Sequence, residues 1–349
     1  MRHYREHLIS SGTSIREALK RLDVLAADAI IFIVDENDVL IASLTDGDIR
    51  RGLIQGLKME DDLMSFAKSQ PKYIEKANYT LEDIIDYREK DYKVIPVLDE
   101  QQRVVNVINF REQSSYLPID AVIMAGGKGT RLLPLTEHIP KPLLKVGDKC
   151  ILDHNIDRLK KFGVDDFWIS IGHMGDQIKA HFEKKENENS TIQFVTENKP
   201  LGTIGAVCQI KNLQHDYLLV TNSDLLTTLD YEEFFLDFLK KEADMSVVTI
   251  PYQVDVPYAV METSNHHVVS FKEKPSYTYY SNGGIYLLKR SLLEFIPKDT
   301  FFNSTDLMEI ILAKGLKLVS FPNRDYWLDI GKHEDYKKAQ EDIIHLDLL

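Results

Sequence analysis

From Ile119 onward the chain alternates short apolar runs with helix-patterned segments. DAVIM is followed by a helix around residues 151–162, DFWISIG by a helix near 177–182, TIQFV by one from about Ile204, and YLLVTNSD by one around 231–240. Strands joined by helical crossovers restrict the fold to α/β with a mostly parallel sheet, whose ligands bind beyond the carboxyl ends of the strands. The first such end carries the stretch MAGGKGTRLLPLT, which puts Gly126, Gly127, Gly129, Lys128 and Arg131 in one turn. The chain as a whole has 42 Lys plus Arg against 55 Asp plus Glu, a net charge of −13. That balance argues against a general nucleic-acid or anionic-membrane surface, since both need clustered positive charge. A local basic turn in an acidic chain points to a strongly anionic small ligand.

The 349 residues suffice for two domains or one large one, and 44% hydrophobic with 28% charged residues is ordinary for a globular protein. Cys150 and Cys208 are too few and too far apart for a disulfide framework or a thiolate metal site, and read as buried small hydrophobes. No apolar run approaches the ~20 residues of a membrane span, and MRHYREHLISSG lacks the apolar core of a signal peptide. A cytoplasmic location is expected.

Residues 1–117 contain an internal repeat. Ser14-Ile15-Arg16-Glu17 and Thr80-Leu81-Glu82-Asp83 each open a helix pattern in the manner of a capping box. Each helix precedes a hairpin, AIIFIV-DEND-VLIASL in the first copy and KVIPVL-DEQQ-VVNVIN in the second, and each hairpin precedes a polar helix start, TDGDIRR or NFREQ. The duplication resembles a pair of CBS repeats, an α+β module that binds adenine nucleotides such as AMP or ATP between its halves. The resemblance implies ribose and phosphate contacts from Thr45 and Asp48, whereas Asn109-Phe110-Arg111-Glu112 keeps neither group in register. A module that only dimerises or props its neighbour is the alternative. Such pairs self-associate, which implies a homo-oligomer. Ser114, Ser115 and Pro118 mark the seam, with a second domain at 118–349.

Spacing excludes two familiar phosphate loops. Gly127-Lys128 is followed by Gly129, not the Ser or Thr of a Walker A loop, and Leu132 stands where the dinucleotide fingerprint needs Gly or Ala. The remaining pattern is Gly126-Gly127-Lys128-Gly129-Thr130-Arg131 with Pro134-Leu135-Thr136 and Pro140-Lys141-Pro142. It resembles the signature of sugar-1-phosphate nucleotidyltransferases, with a Rossmann-like sheet of the nucleotide-diphospho-sugar transferase type. Glycines there admit backbone N–H groups to a triphosphate that Arg131 and Lys141 neutralise.

The resemblance implies the remaining site residues. Ala125, Gly126, Gly127, Gly129 and Thr130 would meet the nucleotide, together with Glu197, Pro200, Gly202 and Thr203 of the loop ENKPLGTIGA. The Pro-Leu-Gly-Thr form is similar to that of guanylyltransferases, although glycines around a Thr equally suit a plain helix cap. Asp224 in VTNSD and Asp329 in YWLDIG would hold Mg²⁺, which favours few, hard oxygen ligands. Gly205, Glu273 and Lys274 of FKEKP, and Asn282 and Gly284 of NGGIY, would take the sugar phosphate. Arg131, Lys141, Asp224 and Asp329 are the expected catalytic set, with no protein nucleophile.

The implied reaction joins a nucleoside triphosphate, GTP in preference to UTP, CTP or dTTP, to a sugar 1-phosphate and releases pyrophosphate. The order of a CBS pair before this domain is similar to glucosamine-1-phosphate guanylyltransferases of legionaminic-acid biosynthesis; mannose or heptose is the second choice of sugar. A catalytically silent nucleotide-sensing subunit is the reading from another class. His173, the pair His266-His267 and the run EKKENENS from Glu183 read as solvated loop structure.

Overall fold

A computed structural model describes residues 3–183 and 190–346. Most of the EKKENENS run therefore lies outside the described residues. The leading module consists of two helix–hairpin units. Helix Ile15–Leu25 starts where Ser14 Oγ accepts from Glu17 N (3.3 Å), and its Ile15, Ala18, Leu22 and Leu25 form one buried face. Hairpin Ile30–Val34 with Leu40–Thr45 packs on that face as part of a four-stranded sheet. In the second unit Thr80 and Asp83 close a full capping box on helix Leu81–Glu89, which precedes hairpin Val94–Leu98 with Val104–Asn109. The two hairpin turns pair with each other, Leu40 N donating to Gln102 O (3.1 Å) and Val104 N to Asp38 O (2.9 Å).

The units differ after their hairpins. TDGDIRR forms helix Asp46–Ile54, but NFREQ does not form the expected helix. Asn109 caps a turn there, its Oδ1 accepting from Arg111 N (3.0 Å), and Ser114 N then donates to Lys161 O (2.7 Å). The chain is thus diverted into the second domain before a helix can propagate.

That domain is built on a seven-stranded sheet in the order Thr191–Thr196, Asp166–Ile171, Ile119–Ala125, Tyr217–Asn222, Ser276–Lys289, Met245–Asp255, Leu318–Pro322. All neighbours are parallel except at Ser276–Lys289, which runs antiparallel to both sides. Helices Ile151–Lys161, Gly175–Glu183, Tyr231–Lys240 and Ser304–Ala313 flank it. The segment from Ile204 is a short 3-10 turn, Gly205–Gln209, in place of the expected helix. Its opening N–H groups are used elsewhere: Ile204 N (3.3 Å) and Gly205 N (3.1 Å) both donate to Phe302 O. Cys150 is buried and caps helix Ile151–Lys161, while Cys208 is only partly buried. No helix among the described residues is long and apolar enough to cross a membrane.

The seam is buried. Ser115, Tyr116 and Leu117 are inaccessible, and Ile74, Leu81, Ile84 and Ile95 share one apolar cluster with Phe162, Phe234 and Ile169 across it. A polar knot sits at its edge: Asp165 accepts from Tyr116 Oη (2.6 Å) and Asn106 Nδ2 (3.0 Å), and Lys76 Nζ reaches Asp166 (2.9 Å) and Asp165 (3.4 Å). Burial alone would raise the Asp166 carboxyl, but the His215 ring, 3.6 Å away, and the charge of Lys76 hold it down at about 2. Lys76→Ala would leave two adjacent buried carboxylates without their cation. A loss of about 2–3 kcal/mol is expected in urea unfolding, below the ~3–5 kcal/mol of a fully buried pair because Lys76 is partly exposed. An unchanged midpoint would contradict this role for the knot.

Candidate active site

The glycine turn leaves the end of the central strand Ile119–Ala125. Gly129 sits at φ +64°, and a Cβ there would lie 3.0 Å from Lys141 Cβ, so glycine allows the turn to close on the lysine segment. A Cβ on Gly126 would come within 2.5 Å of Glu197 Oε1. Glu197 is itself fixed, accepting from Ser170 Oγ (2.5 Å) and Leu201 N (3.1 Å), so it buttresses the turn as well as lining the cleft. Ser170 was not anticipated, since a serine inside an apolar strand gives no sequence signal until its partner is known.

Two distant segments meet beside the turn. Leu225–Thr227 pairs antiparallel with Trp327–Asp329, Leu225 opposite Asp329, and Ile330 N donates to Asp224 O (3.0 Å). This short ladder places the Asp224 and Asp329 carboxylates together. Lys141 Nζ makes a tight ion pair with Asp224, and the Arg131 guanidinium lies against Gly331, whose Cβ, if present, would be 3.5 Å away. Burial first, and then the charge of Asp224, push the Asp329 carboxyl upward against the opposing pull of Lys141 and Arg131. Asp224 Oδ1 and Asp329 Oδ1 are buried and accept no hydrogen bond among the described residues. Two orphaned carboxylate oxygens, converging from separate strands, fit a hard divalent cation such as Mg²⁺.

The carboxylates stand where two clefts adjoin. The first, of about 420 Å³, is lined by the glycine turn, Arg131, Lys141, Pro200, Gly202 and Asp224. The second, of about 310 Å³, is lined by Asn282, Gly284, Tyr286, Ser304, Trp327 and Asp329. Thr203 and Asn222 border both. Thr203 Oγ1 also accepts from Ser304 N (2.9 Å) at the start of helix Ser304–Ala313, so it does cap a helix, though not the one that follows it directly. Gly284, at φ +72°, lets the backbone approach Asn222 Nδ2, which a Cβ would meet at 2.6 Å. Asn222 and Trp327, whose Nε1 donates to Gly283 O (2.9 Å), belong to the site although neither was expected. Both lie within the aspartate motifs VTNSD and YWLDIG, which is the signal that could have found them.

Other expected residues are not brought in. Ala125 and Gly205 are buried and line neither cleft. Glu273 and Lys274 lie on an exposed ribbon beyond the sheet, outside both clefts of their own chain, because Met245–Asp255 and Ser276–Lys289 stay paired past the sheet and carry them away. In the leading module Thr45 and Asp48 are engaged with each other, Oγ1 to Oδ2 at 2.6 Å, and Asp48 with Arg51 at 2.6 Å. His266 and His267 sit exposed at a hairpin tip, and His173 in the turn before helix Gly175–Glu183.

Residues 120–345 match the family described as "Nucleotidyl transferase". The chain belongs to this family. Among its relatives is the D-glycero-alpha-D-manno-heptose 1-phosphate guanylyltransferase of Aneurinibacillus thermoaerophilus, 28% identical over 231 residues, 65% of this chain and 99% of that protein. The mannose-1-phosphate guanylyltransferase of Mycobacterium tuberculosis is 29% identical over 233 residues, 65% of each chain, so this nucleotidyl transferase spans about two thirds of that relative's length. The crystal structure of HddC from Yersinia pseudotuberculosis superposes with a TM-score of 0.52 at 31% identity, covering 64% of this chain and 99% of that one. The family's match begins at the central strand, so the glycine turn, both carboxylates and both clefts fall inside it and the helix–hairpin module falls outside.

Proposed function

We propose that this nucleotidyl transferase moves GMP from GTP to a sugar 1-phosphate, giving a GDP-sugar and pyrophosphate. The observation that carries this reading is the meeting of Asp224 and Asp329 at the junction of a basic cleft and a polar one. A triphosphate in the first cleft and a sugar phosphate in the second would place the α-phosphorus beside the junction. In-line attack by an oxygen of the sugar phosphate forms one P–O bond as the bond to the departing pyrophosphate breaks. Such chemistry needs alignment and charge neutralisation. The backbone N–H groups of the turn, with Arg131 and Lys141, supply both for the triphosphate. Mg²⁺ between Asp224 and Asp329, when bound, adds neutralisation of the reacting phosphates.

The guanine preference rests on the Pro200-Leu201-Gly202-Thr203 loop beside the cleft and on the names of the relatives. Glucosamine 1-phosphate is the first choice of acceptor, on the order of the two domains. The names of the relatives favour a second reading, a manno-configured sugar. Pyrophosphate release with a panel of nucleoside triphosphates, against glucosamine, mannose and heptose 1-phosphates, decides both. GTP is expected to support turnover, and Arg131→Ala to slow it by on the order of 10²-fold. An inactive wild type with every pair would favour a silent sensing subunit, and an unchanged Arg131→Ala rate would remove that residue from the mechanism.

We further propose that the leading module is a CBS pair that takes AMP or ATP near Thr45 and Asp48. Its two facing helix–hairpin units support the reading. Calorimetry with AMP is expected to show heat that Asp48→Ala abolishes, and no heat in the intact protein would leave the module as a scaffold.

A further inference from the structure

Cys150 reads in the sequence as one of two cysteines too far apart to share a metal. The fold gives its thiol other partners. Cys150 caps helix Ile151–Lys161, and Asp153 follows three residues on, so thiol and carboxylate meet at the helix's first turn. His181, in the last turn of helix Gly175–Glu183, sets its Nε2 beside both, 3.8 Å from Cys150 Sγ and 2.9 Å from Asp153 Oδ1. The three ligand atoms all lie within 4.8 Å of one another. Cys150 and Asp153 are buried and the His181 side chain is 27% exposed, so one edge of the group faces solvent.

Each of the three is a ligand that zinc takes, and their spacing is close to its geometry. With Zn–S at ~2.3 Å and Zn–N and Zn–O at ~2.0 Å, a tetrahedral ion sets a sulfur–nitrogen edge of about 3.5 Å and a nitrogen–oxygen edge of about 3.3 Å. The observed 3.8 and 2.9 Å depart from those edges by less than about half an ångström, and in opposite senses. One small tilt of the His181 ring, away from Asp153 and towards the sulfur, corrects both. The charges also close. A thiolate and a carboxylate balance the double charge of the ion, and a neutral complex costs little to bury. The helix N-terminus stabilises the thiolate, with Asp153 N already donating to Cys150 Sγ (3.4 Å). Sulfur among the ligands separates this ion from one held by Asp224 and Asp329, where only oxygen is offered.

We propose that Cys150, Asp153 and His181 bind one Zn²⁺, with water as the fourth ligand, and that the ion fastens helix Ile151–Lys161 to helix Gly175–Glu183. On binding, the thiol proton leaves to solvent, and the imidazole carries its proton on Nδ1 while Nε2 takes the metal. Both helices support the active site. Asn155 Nδ2 donates to Leu225 O (2.9 Å) and Arg158 to Thr228 O (2.6 Å), which holds the strand that follows Asp224. Gln177 Nε2 donates to His138 O (3.1 Å), three residues before Lys141. The ion thus joins two supports of the nucleotide cleft while its own ligands line neither cleft.

Cobalt spectroscopy tests the site on the full chain without turnover. Chelator-stripped protein is titrated with Co²⁺ in excess Mg²⁺, so that all-oxygen sites are already filled. Wild type is expected to develop a thiolate-to-cobalt charge-transfer band that saturates at one equivalent and is bleached by Zn²⁺. Cys208→Ser is expected to keep the band and Cys150→Ser to lose it; serine is itself a good helix cap, so the second change spares the fold. A wild type with no band, or a band that survives Cys150→Ser, overturns the proposal. Competition with a chromogenic chelator is expected to show Zn²⁺ held about 10²-fold or more weakly by His181→Gln, since losing a residue that merely supports a metal ligand already costs ~10–100-fold. Unaltered affinity overturns the three-ligand set. Zn²⁺ is also expected to raise the urea midpoint of wild type and not that of Cys150→Ser, and an unmoved wild-type midpoint overturns the fastening of the two helices.

Discussion

The ladder between Leu225–Thr227 and Trp327–Asp329 is the constraint on which the rest of the site depends. It holds two carboxylates, 105 residues apart in sequence, next to each other in a partly buried setting. Like charges so placed repel, and burial strengthens the repulsion because little water remains to screen it. Lys141 offsets part of that charge by pairing with Asp224, yet one oxygen of each aspartate still has no hydrogen-bond partner. An arrangement of this kind is stable when a further cation is present. Everything else in the cleft follows that geometry: the glycine turn brings N–H groups and Arg131 to one side, and Gly284 admits the backbone to the other.

Much of this was legible in the chain itself. The strand-then-glycine turn, the lysine segment and the two aspartate motifs are local patterns in which residue type follows directly from chemistry, and the structure gathers them around one junction. The leading repeat was likewise readable from its two capped helices and two hairpins. What escaped reading depends on long-range partners. NFREQ has the polarity of a helix start, but the hydrogen bond from Ser114 to Lys161 pulls the chain away. The segment at Ile204 has helical spacing, but its amides are committed to Phe302. Glu197 looks like a ligand contact, and its bonds to Ser170 and Leu201 make it a support for the turn as well.

The EKP segment shows the limit most clearly. The resemblance implied a place for it in the site, yet strand order along the chain does not reveal that two paired strands run past the sheet edge. Exposed aromatics on that extension have no counterpart elsewhere among the described residues of the sheet domain in number or continuity. The fold shows Glu273 and Lys274 on an exposed ribbon, in the lining of neither cleft. The buried seam adds a second coupling, since the Lys76 knot and the shared apolar cluster join the helix–hairpin module to the sheet that bears the site.

The central claim is that Asp224 and Asp329 jointly hold a divalent ion where the two clefts meet. Anomalous diffraction from crystals grown with a non-hydrolysable GTP analogue and Mn²⁺ tests it directly. The account predicts one ion within about 2 Å of an oxygen from each carboxylate, the reach of a hard-cation bond, with the triphosphate along the glycine turn. An ion bound elsewhere, with Asp224 still engaged only by Lys141 and Asp329 untouched, would contradict it.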